Sequence, residues 1–131
     1  MPYTSEYFDE GRGLLFVGSG IVTGSEIIAE KKAIATHEDQ VRRVEYVLVD
    51  FRQVAEFPVS ADDVRAIVQV DQRLAEMAPR AAIAIVAPMD VVFGVSRMWE
   101  VFAQTTGWPI GVFRARKDAD DWLRHRSAPS P

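Results

Sequence analysis

The sequence predicts a single-domain α/β protein with a five-stranded mixed, mostly parallel sheet, an N-terminal hairpin and about four helices. Four apolar runs that look like strands are each followed by a segment with a helix-start signal. A strand that returns beside its predecessor through a helix runs parallel to it. The 131 residues, nearly half of them apolar, suit one packed domain. We expect the domain to span 1–126 and the tail 127–131 to be disordered.

The N-terminal segment predicts a β-hairpin. Its strands cover residues 3–8 and 13–22, and the connection 9–13 contains two glycines that permit positive φ angles. Gly18 and Gly20 would weaken the second strand unless a bulge or a close backbone neighbour requires them. We therefore expect a bulge there, since the third glycine of a dinucleotide-binding fingerprint is missing.

A helix and a buried strand follow the hairpin. Thr23 and Glu26 have the spacing of a capping box, which predicts a helix that begins at Thr23 and continues to about His37. The run 45–51 is apolar almost throughout, as expected of a central strand that is buried on both faces.

The next pair of elements is again a helix followed by a strand. Ser60 is predicted to cap a helix that carries Asp63 at its third position and ends at Pro79. Apolar residues at three- and four-residue spacing give this helix one buried stripe: Ile67, Val70, Leu74 and Met77. The run 81–87 is then a second fully apolar strand.

The last third of the chain predicts a helix, a strand and a short closing helix. Asp90 is the expected cap of the first of these helices, and Gly107 ends that helix. The strand covers 110–114, and the closing helix begins at Asp118. The apolar face of the helix after Asp90 is predicted to contain Val91, Val95, Met98, Trp99 and Phe102.

Composition narrows the classes of function. The formal net charge is -4 without a block of like charge, so a nucleic-acid partner is not expected. There is no cysteine, no apolar run long enough to span a bilayer and no signal-peptide pattern at the start of the sequence. We therefore expect a cytoplasmic protein with no cofactor, no metal and no membrane span.

Three segments resemble those of STAS domains, in particular the SpoIIAA-like group. They are the strand-to-helix passage 18–26, the segment 86–98, and the closing strand and Trp-Leu helix at 113–123. The likeness covers about residues 12 to 124. It implies a non-enzymatic binding or regulatory module that acts through contact with a protein partner.

The resemblance also draws attention to Ser60. In STAS anti-sigma-factor antagonists a phosphorylatable serine begins the helix after the central strand, within an Asp-Ser-Ser-Gly-like sequence. In the matching segment, 57–63, Ser60 alone falls near that place, and Asp62 and Asp63 would repel a phosphate. The simpler interpretation of Ser60 is a helix cap, and a ligand-binding role is the alternative.

Two charged residues lie at the edge of the sheet where open α/β folds usually bind ligands. Asp50 and Arg52 lie at the carboxyl end of the predicted central strand. They could hold a polar group, although an ion pair at the surface is the commoner arrangement.

A glycine inside a strong helix suggests a second location. Gly94 predicts close contact between helix and sheet. Alternatively, it opens a groove in which Arg97 binds an anionic head group and Phe93 or Trp99 forms a wall. This second interpretation predicts a carrier of a small molecule or lipid-like amphipathic ligand, with a pocket near helix 90–105. Its apolar wall would consist of Met89, Phe93, Met98 and Trp99.

An enzyme is not expected. His37 and His125 lie in predicted solvated segments, so neither is a good base for a serine nucleophile. A cluster of Asp50, Arg52 and Ser60 could do acid–base chemistry only if the fold brought the three together. A homodimer through strand edges and an exposed Trp108 is compatible with the sequence, as is a monomer.

Overall fold

The sheet of the computed structural model, which describes residues 2–127, has five strands that neighbour one another in chain order. The first two pair antiparallel and form the expected hairpin, and every later pair is parallel. The predicted fold class is confirmed. The strands are β1 (Tyr3–Phe8), β2 (Gly13–Ile21), β3 (Tyr46–Glu56), β4 (Ala82–Val86) and β5 (Ile110–Phe113).

Five α-helices connect or follow the strands, together with 3-10 turns at Asp9–Gly11 and Ala103–Thr106. The helix expected after Thr23 is present but ends at Ala35 rather than at about His37, and His37 leaves the helical region before a short second helix that the sequence analysis did not predict. The helices are α1 (Gly24–Ala35), α2 (Glu38–Val41), α3 (Ala61–Met77), α4 (Asp90–Phe102) and α5 (Arg116–Ser127). The predicted tail therefore begins at least one residue too early, and 128–131 lie outside the described residues.

The two faces of the sheet are covered by different helices. Side chains of β3 alternate between them: Val47 and Val49 join the large core beneath α1, α3 and α4, whereas Leu48 joins a smaller cluster beneath α5. This burial on both sides explains the continuous apolar run in the sequence.

The central strand is longer than its apolar run. We expected it to end at residue 51, but β3 continues to Glu56, because its polar end still pairs with the end of β2. The pairing register shifts twice near Ser19 and Gly20, and Gly20 has a φ of 65°. The predicted bulge is confirmed.

The start of α4 differs from the prediction. Asp90 is not the cap: Met89 occupies the capping position without a side-chain hydrogen bond, and Asp90 pairs with Arg114 instead. Val91, assigned to the buried face, is exposed. At the other boundaries, β5 ends at Phe113 and α5 begins two residues before Asp118.

The expected close contact at Gly94 is wrong as well. A Cβ placed on Gly94 would meet no atom within 4 Å, and the residue is exposed. We therefore expect Gly94→Ala to raise the free energy of unfolding by about 0.5–1 kcal/mol, because alanine restricts the unfolded chain more than glycine does. Urea denaturation measures the change.

Gly107→Ala is the matched control for this prediction. Its Cβ would also meet nothing within 4 Å, but Gly107 has a φ of +77°. Alanine is strained in that conformation, so this variant should lose stability. A loss of stability in both variants would contradict our account of Gly94.

Candidate functional site

Three polar side chains meet in the core between α1, α3 and α4. Lys31 Nζ lies 2.7 Å from Asp71 Oδ1, and the indole Nε1 of Trp99 donates to Asp71 Oδ2 at 2.8 Å. The Lys31 ammonium also lies 5.1 Å from the centre of the Trp99 ring. We call Lys31, Asp71 and Trp99 the buried polar cluster.

The cluster is costly to bury. Asp71 is 0% exposed, and Lys31 and Trp99 are also buried. Two charges removed from water are tolerated when they pair and when hydrogen bonds satisfy their remaining atoms. Here each carboxylate oxygen of Asp71 accepts one bond, and the charges of Lys31 and Asp71 cancel.

A cavity of about 90 Å³ lies beside this cluster, and its walls are almost entirely apolar. Among the polar groups that line it are Tyr3 and Ser96, each 4% exposed. Within residues 2–126, neither hydroxyl has a hydrogen-bond partner. Burial, with the nearby charges of Asp71 and Glu30, raises the pKa of the Tyr3 phenol, so it stays protonated.

Neither Lys31 nor Asp71 is among the residues predicted from the sequence, although the helical pattern contains a signal for both. Lys31 lies four residues after Ile27 and three before Ile34, on the buried stripe of α1. Asp71 has the same place in α3, between Ile67 and Leu74. A charged residue on the apolar stripe of each of two helices, with opposite signs, indicates a buried pair.

Of the predicted ligand-binding residues, Asp50 and Arg52 lie together on the α5 side of the sheet. The Arg52 guanidinium contacts both carboxylate oxygens, with Nη2 2.9 Å from Oδ2, and Arg116 of α5 is 3.8 Å away. Burial by itself would raise the pKa of Asp50. The hydrogen bonds from Arg52 and the two positive charges outweigh burial, so the pKa lies below its ordinary value of 3.8.

This lowered pKa predicts a pH dependence. A carboxylate whose pKa is lower in the folded state adds stability above its unfolded pKa, and that stability is lost as the pH falls through the folded value. Asp50→Asn should therefore be less stable than the parent at pH 7, by less than about 1 kcal/mol since Arg52 is half exposed. The difference should shrink as the pH falls from 3.8 through the lowered pKa of Asp50, and urea titrations at stepped pH measure it. A difference that stays constant as the pH falls below 3.8 would contradict this.

Ser60 caps α3 as predicted. Its hydroxyl accepts from the Asp63 amide at 3.0 Å, and the Asp63 carboxylate accepts from the Ser60 amide at 3.0 Å. The Asp63 side chain also abuts the first residue of α1, because a Cβ on Gly24 would come within 2.5 Å of its Cγ. The carboxylate of Asp63 therefore already occupies the space between the two helix N-termini.

We expect Ser60→Ala to lower the free energy of unfolding by about 1 kcal/mol, because one amide at the start of α3 loses its acceptor. Thermal denaturation gives the change. Ser60→Thr, which keeps a hydroxyl in reach of the same amide, should recover most of it. Equal losses of stability in Ser60→Ala and Ser60→Thr would argue against capping as the contribution of Ser60 to stability.

Phe93, Arg97 and Trp99 do not share one pocket. Phe93 lies beneath the Arg114 guanidinium, 4.1 Å from ring centre to Cζ, and Arg97 pairs with Glu100 at 3.4 Å. Trp99 lines the cavity, as we expected of a ligand wall. Met89, Phe93 and Met98, the rest of the predicted wall, are absent from the described lining.

The three residues of the hypothetical acid–base cluster diverge. Asp50 and Arg52 lie on the side of the sheet that carries α5, whereas Ser60 begins α3 on the opposite side. Within residues 2–127, no three histidine and acidic side chains are placed to hold a metal ion. None of the helices described there is both long and apolar enough to cross a membrane.

Large apolar side chains are exposed at the carboxyl edge of the parallel strands. Ile21 ends β2 and is 52% exposed, and Met89 and Val91, which follow β4, are 39% and 52% exposed. We call these three residues the carboxyl-edge patch. Trp108, which we expected to be an exposed dimer contact, is partly buried instead, and its indole donates to the Ala78 carbonyl at 2.8 Å.

The hairpin, the parallel strands and the helix placement together define a SpoIIAA-like α/β fold. The anti-sigma factor antagonist SpoIIAA in its unphosphorylated form matches with a TM-score of 0.59 at 13% identity, over 93% of this chain and 97% of that one. An uncharacterized DUF3478-family protein with a SpoIIAA-like fold from Shewanella loihica PV-4 gives 0.59 at 15%, over 92% and 91%. The phosphorylated Bacillus cell fate determinant SpoIIAA gives 0.55 at 16%, over 93% and 99%.

The resemblance inferred from the sequence is thus confirmed at the level of the fold. No protein-family model matches the sequence, and the comparison with curated proteins gave no match.

Proposed function

We propose that this protein is a non-enzymatic regulatory module that acts in the cytoplasm by binding a protein partner through the carboxyl-edge patch. The exposure of Ile21, Met89 and Val91 is the observation that carries this proposal. Large apolar side chains that are exposed along one edge of the sheet suit an interaction surface. The solved structure with the same fold is described as an anti-sigma factor antagonist, which supports a partner that is itself a protein.

The chemistry of the patch indicates what kind of partner surface would fit. Its apolar side chains are flanked by the Arg114–Asp90 ion pair, whose members are exposed. An interface with an apolar centre and a polar rim has this composition. Ser60 is exposed at the same edge and would contribute to the contact through its surface, since its hydroxyl already caps α3.

The test compares two variants of the same helix. Met89→Gln with Val91→Gln makes the patch polar, whereas Val101→Gln makes the same change at the far end of α4, where the side chain is 59% exposed. We expect the parent and Val101→Gln to retain a partner from native lysate. The double variant should retain at least tenfold less, with an unchanged melting temperature.

Equal retention by all three proteins would overturn the patch as the binding surface, as would equal loss in both variants. A second copy of this chain is one candidate partner, so size exclusion with light scattering belongs to the same experiment. A monomer at all concentrations that retains no protein would overturn the proposed function.

The cavity favours a second candidate function, a carrier of a small ligand. It is lined by Val95, Ser96 and Trp99 of α4, within the predicted region 90–105. A cavity that contains unpartnered hydroxyls is typical of a space that a ligand or ordered water fills. Native mass spectrometry of gently purified protein tests for a retained molecule.

A further inference from the structure

Polar side chains from four elements line an otherwise apolar cavity. Lys31 and Asp71 enter it from α1 and α3, Ser96 from α4 and Tyr3 from β1. Lys31 uses one of its three N–H donors on Asp71, and the hydroxyls of Tyr3 and Ser96 are unused within residues 2–126. Buried hydroxyls normally find partners, so these donors lack an acceptor that belongs in the space between them.

The net charge of the polar groups that line the cavity determines which class of ligand can enter it. The Lys31 ammonium is already neutralised by Asp71. A carboxylate or an ammonium ion would leave an unpaired charge in the core, whereas an uncharged hydroxyl adds none. A hydroxyl has one donor and two acceptor positions, so it can accept hydrogen bonds from Lys31 and from one of the hydroxyls of Tyr3 and Ser96 while it donates to the other.

The volume sets the size of the occupant. A cavity of about 90 Å³ is smaller than the ~150 Å³ that holds benzene in an engineered protein core. It therefore suits a molecule of about five non-hydrogen atoms, with most of its surface against apolar walls.

We propose that the cavity binds a small uncharged amphipathic molecule, a short branched alcohol in its chemistry, whose hydroxyl bonds to Lys31, Tyr3 and Ser96. This inference rests on the second candidate function, the small-ligand carrier. It specifies the class of ligand and the residues that recognise its head group. It is independent of protein binding at the carboxyl-edge patch.

The experiment titrates ¹⁵N-labelled protein with isobutanol and follows the indole N–H resonance of Trp99. Isobutylamine and isobutyrate, both charged at pH 7, are matched probes of the same branched body. Xenon is the apolar probe that tests whether the cavity is open to any guest. We expect saturable shifts with isobutanol in about the millimolar range, as suits so few atoms, and none with the charged probes.

Two variants test the head-group contacts. Ser96→Ala and Tyr3→Phe should each weaken isobutanol binding about three- to tenfold, the equivalent of one hydrogen bond between uncharged groups. Xenon binding should not change. Tyr46→Phe is the matched control, since the Tyr46 hydroxyl bonds to Asp9 at the surface, away from the cavity. Thermal denaturation of each variant checks that it is folded.

The outcomes distinguish a failure of the assigned head-group site from a failure of the carrier function. Isobutanol binding that is unaffected by both variants, or tighter binding of a charged probe, would overturn the assigned head-group site and leave the carrier function standing. If neither xenon nor isobutanol enters the parent protein, the carrier function fails with it.

Discussion

Replacing Asp71 with asparagine is expected to lower the free energy of unfolding by about 3–5 kcal/mol. The change preserves shape but leaves the Lys31 ammonium buried without its counter-charge, 2.7 Å from an atom that is no longer a carboxylate oxygen. An uncompensated charge in the core costs several times more than an ordinary lost hydrogen bond. Urea denaturation at pH 7, monitored by tryptophan fluorescence, gives the change directly.

A double-mutant cycle identifies the cause of the stability loss expected in Asp71→Asn. Lys31→Met combined with Asp71→Asn removes both charges, while the amide oxygen still accepts from the Trp99 indole. This double variant should recover most of the loss, because an apolar replacement for a buried ion pair is often close to neutral. Asp62→Asn is the surface control: its pair with Arg65 is exposed on both sides, so no measurable change is expected. Additive losses at positions 31 and 71 would contradict the charge argument.

The second large effect is expected on the other face of the sheet. Ala84 in β4 and Ala119 in α5 are both 0% exposed and belong to the cluster that holds α5 against the sheet. Ala84→Leu would insert three carbon atoms where the helix and strand already pack closely. Overpacking of this kind costs about 1–3 kcal/mol, and α5 should separate from the sheet first. Hydrogen exchange of α5 amides, together with urea denaturation, measures both consequences.

Ala55→Leu is the control for this variant. Ala55 also lies in a strand, β3, but it is exposed, so the larger side chain meets solvent. Its stability should remain within about 0.5 kcal/mol of the parent. If the amides of α5 exchange hydrogen at the parental rate in Ala84→Leu, close packing of α5 on β4 does not explain why residue 84 is small.

Part of the candidate site could be predicted from the sequence. Trp99 was assigned to a ligand wall near helix 90–105, and it does line the cavity. Phe93 and Arg97, assigned to the same wall or groove, contact Arg114 and Glu100 instead. Period and spacing place a residue on one face of a helix, but they do not say which neighbouring element that face meets.

The sequence by itself determined the alternation of strands and helices, the burial of β3, the capping box at Thr23 and the cap at Ser60. Each of these depends on hydrogen bonds or apolar spacing within a few consecutive residues. The tertiary structure alone decided that Lys31 meets Asp71, 40 residues away, beside a cavity. It also decided that β3 continues along the bulged end of β2. Such contacts depend on how the helices pack on the twisted sheet. No short stretch of sequence determines that packing.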